Sequence, residues 1–204
     1  PYSPELYANA INAFLTNVVQ APADVIAFSL SSEFAARAAL AASERFLSLA
    51  LLSPTGFSDR KLPSGGVGRA MHGFFTLPGL GQGLYELLTK RPSIRYFLRR
   101  SYVGEPPEAM VDYAYATSHQ PGARHAPYYF LAGQLFTRQA SETLYAKLGL
   151  PVLVLYDRDA NVGFELLPDF LSTHPNWKAV RVAPTLGIPQ WERPEGVVAA
   201  LDEF

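Results

Sequence analysis

A serine between an apolar run and an alanine-rich segment is the sharpest chemical feature of the sequence. Ser29 follows the apolar residues 25–28 and precedes a helical pattern over 32–45. A serine on a tight strand-to-helix turn is held clear of the sheet, with its hydroxyl near the free N–H groups that begin the helix. Such a hydroxyl can attack a carbonyl carbon, and the backbone N–H of Leu30 would be one donor to the oxyanion. The alternative is that Ser29 is an ordinary polar residue of a turn.

Two carboxylates follow a second apolar run. Asp157 and Asp159 come directly after residues 151–156. A carboxylate at the end of a strand can hold an imidazole by its distal N–H and so orient a catalytic base. The alternative is that one aspartate caps the loop and the other is solvated. The chain has four histidines that could supply the imidazole: His72, His119, His125 and His174.

Composition excludes several other chemistries. The chain has 204 residues, no cysteine and a formal net charge of −1. Without cysteine there is no disulfide, thiolate metal site or thiol nucleophile, and the near-zero charge offers no general attraction for nucleic acid. No histidine, aspartate and glutamate set has metal-ligand spacing, so we expect no metal and no cofactor. The glycines of segment 79–83 do not follow a buried strand and lack dinucleotide-binding spacing. The five cations of segment 90–100 are interpreted as a solvated helix face rather than an anion site.

The elements that must position these residues alternate between helix and strand. A helix beginning at Ser3-Pro4 precedes the strand 25–28, and the helix 32–45 precedes the strand 46–52. This order is typical of an α/β fold with a parallel sheet and helices on its faces. The pattern stops at Gly56, where a stretch of about ninety residues contains helical segments at 84–100, 107–118 and 137–148 and no convincing strand. Two further strands, 151–156 and 178–182, restore the sheet, and a helix from Pro194 closes the chain.

The order of these landmarks resembles the α/β-hydrolase superfamily over essentially the whole chain. Segment 23–32 is similar to the nucleophile elbow with its preceding strand, and 151–159 is similar to the strand that carries the catalytic acid. Segment 188–195 is similar to the stretch that follows the catalytic histidine. The resemblance is to the capped, cofactor-independent branch of the superfamily. It implies a core of 1–56 and 149–204 and a helical cap of 57–148.

The resemblance assigns a role to each matching position. Ser29 matches the nucleophile, and Asp159 matches the acid because Asp-x-x-Val over 159–162 has the spacing of the family. Asp157 is the competing carboxylate. Gly187 stands where the family has its base histidine, and neighbouring Gln190 cannot serve as a general base. A cap histidine, either His119 or His125, would have to reach the site, or another group must activate a nucleophile.

We therefore expect a serine hydrolase-like protein that acts on a small apolar ester or related acyl substrate, with activity in doubt because of Gly187. The alternative is a non-catalytic hydrolase-fold protein used for binding or assembly; a weaker third reading is a handler of lipids or pigment intermediates. No run is long enough to span a bilayer, and a cytoplasmic location is the default. The family core also has strands before the nucleophile strand. Strand 25–28 is therefore expected at an open edge, either in a fragment or covered by a second chain or a second copy.

Overall fold

The chain folds into two compact units. The computed structural model describes residues 1–60, 65–77 and 79–204. The larger unit comprises Pro4–Lys61 and Thr137–Phe204, and the smaller one comprises Pro1–Ser3 and Leu62–Phe136. The larger unit contains the sheet and both candidate carboxylates. The boundaries 57–148 expected for a cap stay a prediction.

The larger unit is built on a four-stranded parallel sheet. Its strands are β1 (Ala23–Phe28), β2 (Phe46–Leu52), β3 (Val152–Tyr156) and β4 (Trp177–Arg181), and their spatial order is β1-β2-β3-β4. The predicted α/β fold with a parallel sheet is confirmed. Because all strands run the same way, the loops that follow them meet at one edge of the sheet. The candidate residues for chemistry lie in these loops.

The helices of the larger unit pack on both faces of this sheet. They are α1 (Pro4–Phe14), α2 (Ser31–Ala41), α8 (Ala140–Thr143), α9 (Leu167–Thr173), α10 (Pro189–Glu192) and α11 (Pro194–Asp202). Short π and 3₁₀ turns lie at Leu15–Val19, Ser43–Arg45 and Tyr145–Lys147. The predicted helix 32–45 ends earlier than expected, and most of the predicted helix 137–148 consists of one short helix and a 3₁₀ turn.

Alternating residues of the central strands fill the two sides of the core. Leu49, Leu51 and Val154 face the larger apolar cluster, which includes four alanines of α2 and the turns around Tyr145. Leu153 and Leu155 face the smaller cluster beneath α11. Strands that are apolar on both faces are expected in a parallel sheet that is covered by helices on both sides. This burial fixes the register of β2 and β3, and therefore the places where their loops begin.

The smaller unit is helical in its described part. Its helices are α3 (Gly65–Phe75), α4 (Leu80–Leu88), α5 (Arg91–Arg99), α6 (Glu108–Ser118) and α7 (His125–Leu131). Residues 65–77 and 79–136 contain no strand, as expected. Helix α3 was not predicted, because four glycines in eleven residues lower its helix propensity.

Strand β1 lies at one edge of the sheet, and among the described residues it pairs with β2 alone. Its outer face is exposed: Ile26 is 58% and Phe28 is 37% accessible to solvent. An exposed apolar strand at a sheet edge is open to pairing with another strand.

Candidate active site

Ser29 lies in a two-residue turn between β1 and α2. The strand ends at Phe28, the helix begins at Ser31, and Ser29 has a φ of +53°. A positive φ is uncommon for a residue with a side chain, because its Cβ is crowded against the backbone. The turn is tied to the sheet, since the Ser29 N–H donates to the carbonyl of Leu52 at 2.8 Å. The structure therefore holds Ser29 in a tight turn of positive φ at the carboxyl end of β1.

In the described part of the chain, the backbone N–H that follows Ser29 is without a carbonyl acceptor. The N–H groups of Ser32 and Glu33 donate to the carbonyls of Ser29 and Leu30, each at 3.1 Å. The Leu30 N–H has no carbonyl acceptor within the described part of the chain. This free donor directly follows Ser29 at the start of an eleven-residue helix, whose dipole also favours negative charge. The arrangement can bind an oxyanion that forms on a group attacked by Ser29.

Asp159 lies in the loop after β3 and uses only one of its oxygens. Its Oδ1 accepts hydrogen bonds from the backbone N–H groups of Asn161 at 2.7 Å and Val162 at 3.1 Å. These bonds fix the carboxylate, while no donor to Oδ2 is found among residues 1–60, 65–77 and 79–204. Burial raises the pKa of the Asp159 carboxyl, and the two backbone hydrogen bonds offset only part of that rise.

Both carboxylate oxygens of Asp157 make hydrogen bonds within the same edge of the sheet. It is 6% accessible; its Oδ1 accepts from Arg181 Nε at 2.6 Å, and its Oδ2 accepts from the Thr185 N–H at 2.8 Å. Burial raises the pKa of Asp157, but these bonds and the guanidinium charge outweigh it and lower the pKa from its ordinary value. Both oxygens are occupied, so Asp159 is the carboxylate that retains an oxygen for a further partner.

Position 187 lies against the free oxygen of Asp159. Gly187 has a φ of +121°, and a Cβ built on it would lie 2.9 Å from Asp159 Oδ2 and 3.0 Å from its Cγ. The preceding N–H of Leu186 donates to Glu192 Oε2 at 2.7 Å, which ties this loop to α10. The predicted acid and the predicted base position are thus neighbours. The base position has no side chain, and its backbone disfavours one.

The larger unit contains one of the four histidines, His174. His174 caps the end of α9, where its Nδ1 pairs with the carbonyl of Phe170 at 2.8 Å and its ring stacks on that phenyl ring. It precedes β4 and so lies toward the opposite edge of the sheet. His72, His119 and His125 belong to the smaller unit. His119 also binds locally, with its Nδ1 2.8 Å from the carbonyl of Tyr115.

One buried acid near the turn was not predicted as a functional or structural residue. Glu33 is 1% accessible, accepts from Thr55 Oγ1 at 2.5 Å and accepts from the Thr137 N–H at 2.6 Å. Burial raises the pKa of Glu33, and the hydrogen bonds lower it only in part. Thr55 and Thr137 lie just before and just after the residues of the smaller unit. Glu33 therefore joins both ends of that insertion to the helix that follows Ser29.

The other polar features carry no comparable arrangement. Three cations of α5, Arg91, Arg95 and Arg99, pair with the acidic side chains of Asp112, Glu108 and Glu105. This pairing supports the interpretation of the basic run as a helix face rather than an anion site. Across the described residues, no three histidine, cysteine or acidic side chains are grouped as metal ligands would be. No helix there combines the length and the apolar character needed to cross a bilayer.

Comparison with known proteins identifies the fold. No protein-family model and no curated protein matches the chain. Solved structures do: an α/β-hydrolase fold protein from Burkholderia ambifaria has a TM-score of 0.73 at 18% identity, over 100% of this chain and 74% of its own. A candidate hydrolytic enzyme from Pseudomonas aeruginosa has a TM-score of 0.73 at 22% identity, and the match covers 99% of this chain and 69% of that one. A proposed aryl esterase from Burkholderia cenocepacia has a TM-score of 0.70 at 17% identity. The match covers 99% of this chain and 70% of that one.

These likenesses show a fold and not an activity. The chain has the α/β-hydrolase fold, as the sequence resemblance predicted, and the structures that share it include hydrolases. The solved chains are longer than this one and are matched over about seven tenths of their length. The roles of Ser29, Leu30 and Asp159 stay predictions.

Proposed function

We propose that this protein is a serine hydrolase of esters or related acyl compounds, with Ser29 as its nucleophile. The observation that carries the proposal is the conformation of Ser29, whose φ of +53° holds its side chain at the carboxyl end of β1 beside the free Leu30 N–H. Residues kept in sparsely populated backbone conformations cost about 1–3 kcal/mol each and cluster at functional sites. The strain supports a functional reading of the turn over an ordinary polar one.

The proposed chemistry is acyl transfer. The Ser29 Oγ attacks the carbonyl carbon as its proton passes to a base, and the carbonyl oxygen becomes an oxyanion that accepts a hydrogen bond from the Leu30 N–H. Collapse of this intermediate breaks the bond to the leaving group, which takes up the proton. Water then releases the acyl group from Ser29. The role of Asp159 is to orient the base, and no step requires a cofactor.

The residue at position 187 limits the rate. A serine hydroxyl is a weak nucleophile without a base, and removal of one triad member leaves a residual of about 10³- to 10⁴-fold over water from binding and the oxyanion hole. We therefore expect slow acylation in the absence of added ligands. The proposed substrates are small apolar acyl compounds, since the structures similar to this chain include a proposed aryl esterase. A cytoplasmic location stays a prediction.

A fluorophosphonate probe tests the assignment, because it phosphonylates activated serines. We expect one equivalent of adduct on Ser29 after long incubation, located by peptide mass spectrometry, and no adduct in Ser29→Ala. Ser31→Ala is the matched control, since Ser31 lies two residues away at the exposed start of α2 and should label like the wild type. Absence of labelling in a sample whose fold is verified by circular dichroism would refute the nucleophile.

The second candidate is a non-catalytic protein that uses this fold for assembly. Two observations favour it: the glycine at position 187, and the exposed edge strand with its apolar residues Ile26 and Phe28. A strand from a second chain or a second copy would cover that edge. Ile26→Lys should then shift the protein to a smaller species in light scattering coupled to size exclusion. A monomer at all concentrations in both proteins contradicts self-assembly.

A further inference from the structure

We propose that Asp159 and Gly187 form a binding site for a nitrogen base of the imidazole class, which the ligand brings and which takes the proton of Ser29. The inference rests on the proposed hydrolase function and names the source of its base. The site would accept a neutral ring that carries an N–H donor and, elsewhere on the ring, a nitrogen with a free lone pair. The ring belongs either to the acyl substrate or to a separate small molecule.

The first observation is the unequal use of the two oxygens of Asp159. Oδ1 is held by two backbone N–H groups, those of Asn161 and Val162, while Oδ2 has no donor in the described parts of the chain. A partly buried carboxylate oxygen gains from a hydrogen-bond donor, because burial removes part of its contact with water. Since Oδ1 is fixed, Oδ2 is held in one direction, towards position 187. It is a preset acceptor for the N–H of a ligand.

The second observation is that the chain itself cannot readily supply that donor from position 187. A side chain there would begin with a Cβ 2.9 Å from Asp159 Oδ2 and would have to adopt the φ of +121° that Gly187 has. The loop is also tied down by the bond between the Leu186 N–H and Glu192. A ring that is not attached to the backbone avoids both constraints.

The strand order places the serine at a suitable separation. Ser29 follows β1 and Asp159 follows β3, two strands away in a parallel sheet, which corresponds to about 9.6 Å between the strands. One flat ring with a hydrogen bond of roughly 2.7–3.2 Å on each side, together with the serine and aspartate side chains, bridges such a gap. The spacing of the strands is therefore compatible with one ring between the two groups.

The required chemistry selects the class of ring. The group must donate to Asp159 Oδ2 and accept the Ser29 proton in the same protonation state. Neutral imidazole does both, since one nitrogen carries N–H and the other accepts, and its pKa lies near neutrality. A guanidinium has donors and no acceptor, and an ammonium has no lone pair. Cations of those kinds would bind Asp159 without activating Ser29.

The step balances without any further reactant. The ring nitrogen takes the proton of the Ser29 hydroxyl as Oγ bonds to the acyl carbon, and the imidazolium is stabilised by Asp159. When the bond to the leaving group breaks, the ring returns this proton to the leaving oxygen. The neutral ring then takes a proton from the water that hydrolyses the acyl enzyme and returns it to Ser29. The ring is unchanged at the end.

Imidazole and 1-methylimidazole test the site with the fluorophosphonate probe. Both are bases, but 1-methylimidazole has no N–H to donate to Asp159. We expect imidazole to accelerate labelling of Ser29 at least 10-fold with saturation, and 1-methylimidazole to give only a small increase that rises linearly with its concentration. Asp159→Asn should abolish saturation, because Asn161 and Val162 hold the amide oxygen at the Oδ1 position and so turn the amide N–H₂ towards the ligand. Asp169→Asn, an exposed acid on α9, is the matched control and should respond like the wild type.

The outcomes separate the two proposals. Suppose that Ser29 labels slowly, that imidazole and 1-methylimidazole accelerate labelling of the wild type linearly and equally, and that imidazole has the same effect on Asp159→Asn. The proposed base site is then wrong, while Ser29 remains the nucleophile. If a folded sample never labels, the hydrolase proposal fails. The source of the ring is tested by comparing hydrolysis of N-acetylhistidine methyl ester with that of N-acetylphenylalanine methyl ester. Preference for the histidine ester without added imidazole indicates a substrate-borne base, and rescue of the phenylalanine ester by imidazole indicates a separate one.

Discussion

Substitution of Gly187 by alanine tests the geometry of the candidate site most directly. The added Cβ would lie 2.9 Å from Asp159 Oδ2 and 3.0 Å from its Cγ, whereas carbon contacts are favourable near 3.5–4.0 Å. The carboxylate would have to retreat by roughly half an ångström or more, against the two hydrogen bonds that hold its Oδ1. Alanine would also have to accept a φ of +121°.

The two effects set the expected magnitude. A residue forced into a sparsely populated backbone conformation costs about 1–3 kcal/mol, and an added methyl group in a crowded site costs a similar amount. Because a small loop movement relieves both together, we expect Gly187→Ala to lower the free energy of unfolding by about 2–4 kcal/mol. The saturable effect of imidazole on Ser29 labelling should be lost in the same variant.

Urea unfolding followed by circular dichroism measures the change. Gly149→Ala is the matched control in the same unit, since an added Cβ there meets no atom within 4 Å and the backbone has no positive φ. It should be neutral or stabilise slightly, by about 0.4–1 kcal/mol, because alanine restricts the unfolded chain. A Gly187→Ala variant as stable as the Gly149→Ala variant, with an unchanged denaturant slope, would refute the contact between position 187 and Asp159.

Further predictions concern the two buried acids. Glu33→Ala should lower the free energy of unfolding by about 2–4 kcal/mol, because the Thr55 hydroxyl and the Thr137 N–H lose their buried acceptor. Glu33→Gln should cost less than half as much, because the hydroxyl of Thr55 can turn to accept from the amide. Equal losses of stability in urea unfolding would contradict this. The pKa of Asp157 is lowered on folding, so its stabilising effect is complete above its ordinary pKa near 3.8 and disappears as the pH falls through the folded value. The difference in stability between wild type and Asp157→Asn should thus be clear at pH 7 and shrink towards pH 3; a constant difference would contradict the shift.

Strands β2 and β3 were predictable from sequence because they are short apolar runs next to proline or glycine. The expected strand 46–52 coincides with β2, and 151–156 differs from β3 by one residue. Such runs are buried on both faces, so their composition alone distinguishes them. Helices α3 and α7 were not predicted, because glycines lower the helix propensity of the first and the second has only seven residues. Helix α7, with about two turns, is too short to show a periodic pattern.

The site was predictable only where the signal is local. The strained turn at Ser29 follows from small residues between a strand and a helix, which adjacent residues reveal. Glu33 gave no such signal, because an acid in the first turn of a helix usually faces solvent. Its partner Thr137 is 104 residues away in the sequence, so only the fold shows that the carboxylate is buried. The distinction between Asp157 and Asp159 likewise depends on Arg181 and Thr185, which lie 24 and 28 residues from Asp157 in the sequence.

Two positions of positive φ follow strands of the same sheet, and they carry different kinds of residue. At position 29 the backbone adopts a positive φ that glycine accepts more easily, yet the residue is a serine. At position 187 the backbone also has a positive φ, and there the residue is a glycine beside an acid with one free oxygen. Position 29 has a hydroxyl in spite of the strained backbone. Position 187 has no side chain, although a base there could accept the proton of Ser29. A base that arrives with the ligand reconciles the two, because it gives the strained serine a proton acceptor and the free oxygen of Asp159 a donor.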